Sequence, residues 1–257
     1  MNRFALLTAA PLALAMTSCT TVTDRADAAT YASAVAAADR PAEARALDAS
    51  RKPAEVLQWL GIKPGMDVAD LIPGTGYWAE IMAHVVGPRG TVTAWQPNEF
   101  YNDAEGKALW DGIAARTPRV ILARYPFKDF APPASSIDAA IINLSYHDLY
   151  WESEQYKIPR TDPDAWVRAL YAAVRPGGVV GVIDHVGKPG TDTRALVDKL
   201  HRIDPAVVRA DFERAGFRLA DTSNLLANPA DDHSKLVFDP AVRGKTDRFM
   251  MKFMKPR

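Results

Sequence analysis

Apolar residues recur along this chain with two different spacings that alternate from residue 53 onward. Short and almost wholly apolar runs are typical of strands buried on both faces, and apolar residues three and four positions apart are typical of amphipathic helices. The strand pattern covers residues 67–72, 91–95, 119–124, 138–144, 179–183, 217–222 and 248–254. The helix pattern covers residues 53–60, 78–85, 103–115, 162–174, 191–201 and 205–215. This alternation predicts one α/β domain built on a mostly parallel, doubly wound sheet with helices on both faces.

A turn rich in glycine follows the first predicted strand. Gly74 and Gly76, with Thr75 between them, lead directly into the next helix. Glycine tolerates unusual backbone angles and lets a ligand approach the backbone closely, and ligands of doubly wound sheets bind at the carboxyl ends of the strands. The turn therefore indicates a ligand site, although a tight strand-to-helix connection requires nothing more than such glycines.

Three stretches of the chain resemble a known superfamily. Residues 68–76, VADLIPGTG, resemble motif I of the class I S-adenosylmethionine-dependent methyltransferases. Residues 174–178, VRPGG, resemble the turn before the fifth strand of those enzymes, and residues 137–141, IDAAI, resemble their fourth strand. The resemblance implies a seven-strand Rossmann-like domain with an antiparallel closing strand, S-adenosylmethionine as cofactor, and methyl transfer to a small-molecule or envelope acceptor.

Four further stretches are similar to an exported bacterial family of predicted methyltransferases, whose activity is itself inferred from the fold. They read RKPAEVLQWLGIKPGM, YHDLYW, LHRID and GKTDRFMMKFMKP.

The resemblance assigns the cofactor site to one set of residues. By position in the motifs, the cofactor-binding residues are Asp70, Gly74, Thr75, Gly76 and Gln96.

Three positions depart from the superfamily pattern. Ile72 replaces the first glycine of motif I, where a β-branched side chain crowds the place of the methionine part of the cofactor. Gln96 stands where an acid usually holds both ribose hydroxyls, with Glu99 three residues later as an alternative. Arg124 follows the third strand, where an acidic residue often meets the adenine amine. Ile72 and Gln96 favour an alternative function, a ligand-binding module that kept the sheet but lost the cofactor site.

Two histidines follow neighbouring strands of the predicted sheet. His147 comes after the fourth strand, next to Asp148, and His185 ends the fifth strand, next to Asp184. An acidic neighbour orients an imidazole or raises its basicity, as a general base requires. We predict His147 as the base, with His185 and Tyr146 as further catalytic residues. A single histidine in such a place is more often a structural residue.

The same region contains the groups of a metal site. His147, His185 and His201, together with Asp148 and Asp204, offer the imidazole and carboxylate ligands that suit zinc, iron or manganese. A metal-assisted hydrolase is therefore a second alternative function. The sequence has no HExxH or similar spacing, and Asp204 before Pro205 suits a helix N-cap, so we predict no metal site.

The N-terminal residues have the pattern of an export signal. A charged start at residues 1–3 precedes an apolar run at residues 4–16, and Cys19, the only cysteine of the chain, follows small residues. The sequence MTSC at residues 16–19 resembles the lipobox of bacterial lipoproteins. We expect a signal peptide at residues 1–18, lipidation of Cys19, a tether and helical lead-in at residues 19–50, and the domain at residues 51–257. The expected product is a periplasmic lipoprotein tethered to a bacterial membrane; a plain cleaved signal peptide is the alternative.

Composition limits the partners. Lys and Arg together number 31, equal to Asp and Glu, so no strong field attracts nucleic acid or an anionic membrane. No stretch after the first twenty residues is long and apolar enough to span a bilayer. We expect a small-molecule substrate and no nucleic acid, with membrane contact through the lipid anchor alone.

Overall fold

A single seven-stranded sheet organises the computed structural model, which describes residues 27–257. The strands are β1 (Asp67–Leu71), β2 (Thr91–Pro97), β3 (Val120–Tyr125), β4 (Ile137–Asn143), β5 (Val174–His185), β6 (Arg218–Ser223) and β7 (Arg248–Met254). Their order is β3-β2-β1-β4-β5-β7-β6, and β7 alone runs antiparallel to its neighbours β5 and β6. The predicted doubly wound sheet with an antiparallel closing strand is confirmed. The strand order reverses between β1 and β4, which places a crevice at their carboxyl ends.

Helices cover both faces of this sheet. In the described part of the chain they are α1 (Ala28–Val35), α2 (Ala42–Arg45), α3 (Asp48–Arg51), α4 (Pro53–Leu60), α5 (Tyr77–Val86), α6 (Ala104–Arg116), α7 (Pro163–Ala173), α8 (Thr193–Leu200) and α9 (Pro205–Ala215), with 3₁₀ turns at Gly87–Arg89 and His147–Tyr150. Aspartates begin several helices because a carboxylate accepts a free amide of the first turn. Asp204 does so for α9, accepting from the Ala206 amide at 2.8 Å, which confirms it as an N-cap.

The core has two layers, one on each face of the sheet. Alternate side chains of a strand point to opposite faces, so Ile141 of β4 packs with α4, α5 and α6, while Ile142 packs with α7 and α9. Both side chains are fully buried. This burial on two faces explains why β4 reads as an almost continuous apolar run.

The N-terminal lead-in belongs to the domain. Helix α1 buries Tyr31 and Ala34 against the core, and the Tyr31 hydroxyl donates to the Ile62 carbonyl at 2.8 Å. Arg40 is buried as well and pairs with Asp48 at 2.7 Å. For residues 27–50, this packing corrects the expectation of a tether and helical lead-in outside a domain that begins at residue 51. The predicted signal peptide and Cys19 lie outside the described residues.

Across residues 27–257, we find no helix with the length and apolar character needed to cross a membrane.

Candidate active site

A cavity of about 690 Å³ opens at the carboxyl ends of β1, β4 and β5. Its lining includes most of the residues that the sequence singled out, namely Asp70, Ile72, Gly74, Thr75, Gln96, His147, Asp148, His185 and His201. Gly76 and Tyr146 lie outside that lining. The cavity occupies the crevice that the strand order predicts, which makes it the candidate active site.

The two glycines of the turn after β1 have different surroundings. Both have positive φ, 59° at Gly74 and 74° at Gly76. A Cβ on Gly74 would lie 3.4 Å from the Tyr101 hydroxyl, inside the cavity. A Cβ on Gly76 would lie 2.5 Å from Cδ1 of Ile113, in the core. The argument for close ligand approach therefore applies to Gly74, whereas Gly76 is required for backbone conformation and for packing against α6.

Ile72 adopts a left-handed conformation at the place of the missing motif glycine. Its φ is 52°, a conformation that costs an L residue roughly 1–2 kcal/mol and is unusual for a β-branched one. The Ile72 amide donates to the Trp95 carbonyl at 3.0 Å, and its own carbonyl accepts from the Ser145 hydroxyl at 3.2 Å. These bonds hold the strained residue against the cavity, and the backbone keeps a glycine-like shape without glycine.

Gln96 supports the loop instead of presenting a free amide. Its Oε1 accepts from the Gly74 amide at 3.0 Å, and its Nε2 donates to the Phe100 carbonyl at 3.3 Å. Glu99, the alternative ribose ligand, accepts from the Phe127 amide at 3.0 Å. Both side chains are thus engaged by the protein, so the ribose contact expected of Gln96 requires it to exchange a partner.

A buried acid and a free cation flank the glycine turn. Asp70 accepts from the Ala79 amide at 2.8 Å, and burial raises the pKa of its carboxyl to about 7. Arg51 lines the same cavity and stacks over the Tyr77 ring at 4.3 Å, and burial lowers the pKa of its guanidinium. Within residues 27–257, no hydrogen bond or salt bridge joins the Arg51 guanidinium to another residue. Sequence reasoning missed Arg51; its one signal is its place at the start of the similar stretch RKPAEVLQWLGIKPGM.

His147 is bound between two carboxylates. Its Nδ1 lies 2.8 Å from Asp184 Oδ1, its backbone amide donates to Asp184 Oδ2 at 2.9 Å, and its Nε2 lies 3.4 Å from Asp148 Oδ1. Burial disfavours a charged imidazole, but the carboxylates of Asp184 and Asp148 outweigh it and raise the pKa of His147 above its usual range. With a pKa so raised, the imidazole must first lose a proton before it can serve as the predicted general base.

The other two histidines of the cavity are neutral. His185 Nδ1 lies 2.7 Å from the Thr246 hydroxyl, and burial lowers the pKa of the imidazole to about 3. Burial and the nearby His147 lower the pKa of His201 to about 4. The rings of His147 and His201 are 5.4 Å apart, edge to face, and those of His147 and His185 are 6.0 Å apart. The structure therefore brings all three predicted histidines to one side of the cavity.

Tyr146 has a structural role. It is fully buried, and its hydroxyl donates to Asp211 Oδ2 at 2.7 Å, in the core layer formed with Phe212. This placement corrects the expectation that Tyr146 is catalytic. Of the aromatic residues that follow β4, it is Trp151 and Tyr156 that line the cavity.

Comparison with known proteins agrees with this architecture. A sequence model of the protein-L-isoaspartate(D-aspartate) O-methyltransferase family matches residues 26–113. A curated relative, the ubiquinone/menaquinone biosynthesis C-methyltransferase UbiE of Shewanella woodyi, is 27% identical over 141 residues, which are 55% of this chain and 51% of the relative. The chain thus matches about half the length of that relative.

Solved structures share the fold. An S-adenosylmethionine-dependent methyltransferase from Aquifex aeolicus superposes with a TM-score of 0.57 at 19% identity, over 84% of this chain and 98% of its own. The 1,6-didemethyltoxoflavin-N1-methyltransferase of Burkholderia thailandensis, solved with bound 1,6-didemethyltoxoflavin and S-adenosylhomocysteine, gives a TM-score of 0.52 at 15% identity, over 84% of this chain and 79% of its own. Taken with the strand order and the glycine turn after β1, these likenesses show that the chain has the fold of the class I S-adenosylmethionine-dependent methyltransferases.

Proposed function

We propose that this chain is an S-adenosylmethionine-dependent methyltransferase that acts on a small molecule with an apolar body. The observation that carries the proposal is that Asp70 and Arg51 both line one cavity, beside the positive-φ turn at Gly74. The amino-acid end of the cofactor bears an ammonium and a carboxylate. Asp70 accepts the ammonium in its ionised form, which the ammonium itself favours, and the Arg51 guanidinium, which makes no hydrogen bond within residues 27–257, can donate to the carboxylate.

The cavity offers contacts for the purine of the cofactor but fewer for its ribose. Phe100, Tyr101 and Trp151 supply flat apolar faces of the kind on which a purine packs. Neither Gln96 nor Glu99 presents a free side chain to the ribose, because both are hydrogen-bonded to backbone amides. The Tyr101 ring covers Gly74, so a ligand at that glycine either packs on the ring or displaces it.

When bound, the cofactor supplies an activated methyl group on a sulfonium sulfur. The protein's part in such a transfer is to hold donor and acceptor in line and to exclude water. The cavity is placed for this task, since its floor is formed by the rigid ends of β1 and β4 and its walls by aromatic side chains.

The mouth of the cavity indicates the type of acceptor. Tyr156, Leu236 and Phe238 line it, yet their exposed fractions are 60%, 37% and 55%. Large apolar side chains left exposed around a cavity are typical of a surface that binds an apolar ligand. The curated relative is named for quinone biosynthesis, which supports an aromatic acceptor such as a phenol or hydroquinone.

Calorimetric titration with S-adenosylmethionine tests cofactor binding. We expect the wild-type protein to bind it and Arg51→Gln to weaken affinity at least about tenfold, because a charge-assisted bond is lost. The matched control is Arg160→Gln, an arginine that pairs with Glu152 on the surface outside the cavity. Absence of binding by the wild type would favour the cofactor-less binding module, and equal affinities of the two variants would move the site away from Arg51.

Turnover of a panel of phenols, hydroquinones and polar amines, followed as S-adenosylhomocysteine release, tests the acceptor. We expect phenols or hydroquinones to be methylated, and Phe238→Ala to raise their KM with cofactor affinity unchanged. Preference for the polar amines contradicts an apolar acceptor.

We also propose that the chain is exported and anchored through a lipid on Cys19, as its N-terminal pattern suggests. Cys19→Ser should then move the protein from the membrane fraction to the soluble fraction of fractionated cells. A variant that stays with the membrane contradicts the lipid anchor.

A further inference from the structure

The free side of the His147 ring faces two further ligand-type groups. Because Asp184 occupies Nδ1, Nε2 is directed towards Asp148 Oδ1 at 3.4 Å, and His201 Nδ1 lies 4.0 Å from the same oxygen. Three potential ligand atoms, one each from His147, Asp148 and His201, all lie within 4.8 Å of one another. The 3₁₀ turn that follows β4 and the end of α8 thus converge on one point.

The Asp148 carboxylate at this point is only partly covered by the protein. Its side chain is 17% exposed, and within residues 27–257 the imidazoles that approach it are those of His147 at 3.4 Å and His201 at 4.0 Å. Neither approach is a hydrogen bond. A partly buried carboxylate placed between two imidazoles offers an oxygen ligand to a cation.

His201 is held in place at the end of α8. It adopts a left-handed φ of 49°, a conformation that commonly ends helices and in which histidine is enriched. Its ring packs against Trp151 at 5.1 Å and Phe238 at 5.2 Å, which fixes the ring beside His147. An imidazole held in this way is already positioned to act as a ligand.

From this arrangement we propose that His147, Asp148 and His201 bind one divalent transition-metal ion, with Asp184 as the residue that orients His147. Ligands about 2.0–2.2 Å from a tetrahedral ion lie about 3.4 Å from one another. The 3.4 Å and 4.0 Å separations therefore close around an ion with a small movement of one side chain. A carboxylate on the far nitrogen of a metal-bound histidine is the usual outer partner of such sites.

The ligand types decide which ion fits. Two imidazoles and one carboxylate suit zinc, iron or manganese in preference to magnesium or calcium, which take mainly oxygen ligands. Three protein ligands leave a coordination position open towards the cavity. A hydroxyl or water bound there is polarised, so the site adds Lewis-acid chemistry to the cavity independently of any methyl donor.

Metal titration of the purified full-length chain, stripped with a chelator, tests the site. We expect one equivalent of Zn²⁺ to bind, and Co²⁺ to give visible absorption bands typical of a low-coordinate site. His147→Gln, Asp148→Asn and His201→Asn should each weaken Zn²⁺ binding at least about 100-fold, and Asp184→Asn about 10–100-fold. Asparagine at position 201 tolerates the left-handed backbone, so this variant keeps the fold.

His233→Asn is the matched control. His233 also has a positive φ, 61°, and also contacts an aspartate, Asp247, at 2.9 Å, but it lies outside the cavity lining. Its substitution should leave Zn²⁺ affinity unchanged. Failure of the wild type to bind Zn²⁺, or an equal loss in the His233 variant, overturns the metal site. Zn²⁺ binding without S-adenosylmethionine binding overturns the methyltransferase proposal alone, and the reverse result overturns the metal site alone.

Discussion

Asp184 binds His147 twice, through the ring at 2.8 Å and through the backbone amide at 2.9 Å. Asp184 lies at the end of β5, and His147 lies in the turn that follows β4, so the pair joins two neighbouring strand ends. The Asp184 side chain is completely buried and also accepts from the His185 amide at 2.7 Å. One carboxylate thus sets both the direction of the imidazole and the path of the turn.

A double-mutant cycle should measure this relationship as strong coupling. Asp184→Asn should lower the free energy of unfolding by about 3 kcal/mol, because it breaks a buried charge pair. With His147→Ala the two effects should be non-additive by at least about 1 kcal/mol. Urea unfolding at neutral pH gives both values. The more exposed pair of His233 and Asp247, 2.9 Å apart, is the control and should show weaker coupling. If the effects of the two substitutions are additive, Asp184 does not stabilise the protein through His147.

Ile72 offers a test of the strain in the turn. Alanine normally stabilises a chain by about 0.5–1 kcal/mol relative to glycine, but at a φ of 52° glycine has no Cβ penalty. We therefore expect Ile72→Gly to be more stable than Ile72→Ala by about 1 kcal/mol, although both lose the packing of a side chain that is 5% exposed. Urea unfolding of the two variants provides the comparison. The usual order, alanine above glycine, would show that the residue relaxes out of the left-handed region.

Local pattern accounts for most of the fold. The apolar runs predicted β7 at residues 248–254 with the bounds that the structure has, because alternation and burial are properties of the strand itself. The apolar pattern predicted none of the helices α1, α2 and α3, and it missed the first part of β5. Helix α1 has only Tyr31 and Ala34 as buried anchors, too few for a visible period. Strand β5 begins at Val174, five residues earlier than predicted, where Val174 pairs with Ile137 and Arg175 bridges Asp67 and Asp138. Those contacts are tertiary and leave no local signal.

In the candidate site, too, the sequence predicted the features that depend on strand ends and missed those that depend on tertiary contacts. The carboxyl ends of parallel strands meet at one edge, so the sequence could place His147, His185 and Gly74 around one cavity. The sequence pattern could not predict the direction of individual side chains. Tyr146 adjoins His147 in sequence, but its hydroxyl is bonded to Asp211 of α9 and it does not line the cavity. Arg51 reaches the cavity from a short helix that precedes the whole sheet, and no spacing in the sequence indicates that approach.

Gly76 should prove to be a packing residue. In Gly76→Ala the new methyl group meets Ile113 Cδ1 at 2.5 Å and the Trp110 ring at 3.2 Å, and the residue keeps a φ of 74°. We expect a loss of about 2–4 kcal/mol from overpacking and backbone strain together. Ile113→Val removes Cδ1 alone, so the double variant should recover part of that loss. Thermal unfolding of the wild type, the two single variants and the double variant measures this recovery. Absence of any recovery contradicts the packing role of Gly76.

Asp70 should make stability depend on pH in an unusual direction. Burial raises the pKa of its carboxyl from 3.8 to about 7, so the folded state holds the proton more tightly than the unfolded state. This contribution is fully present below pH 3.8 and is lost as the pH rises through about 7. Asp70→Asn removes the ionisable group and keeps an oxygen for the Ala79 amide. The free energy of unfolding of the variant minus that of the wild type should therefore increase by about 2 kcal/mol when the pH is raised from about 4.5 to about 8.

Asp67, on the same strand, supplies a control of opposite sign. Hydrogen bonds from Thr91 and Arg175 outweigh its partial burial and lower the pKa of its carboxyl, so its contribution is present at neutral pH and is lost on acidification. Asp67→Asn should therefore differ from the wild type by a constant amount between about pH 4.5 and pH 8, and this difference should shrink only when the pH falls below 3.8. Urea unfolding of the three proteins at about pH 3, pH 4.5 and pH 8 measures both trends, and because all other titrating groups are shared, each difference reports on one carboxyl. A pH-independent gap between Asp70→Asn and the wild type would mean that Asp70 is ionised throughout, held so by the positive charge of Arg51 beside it in the cavity.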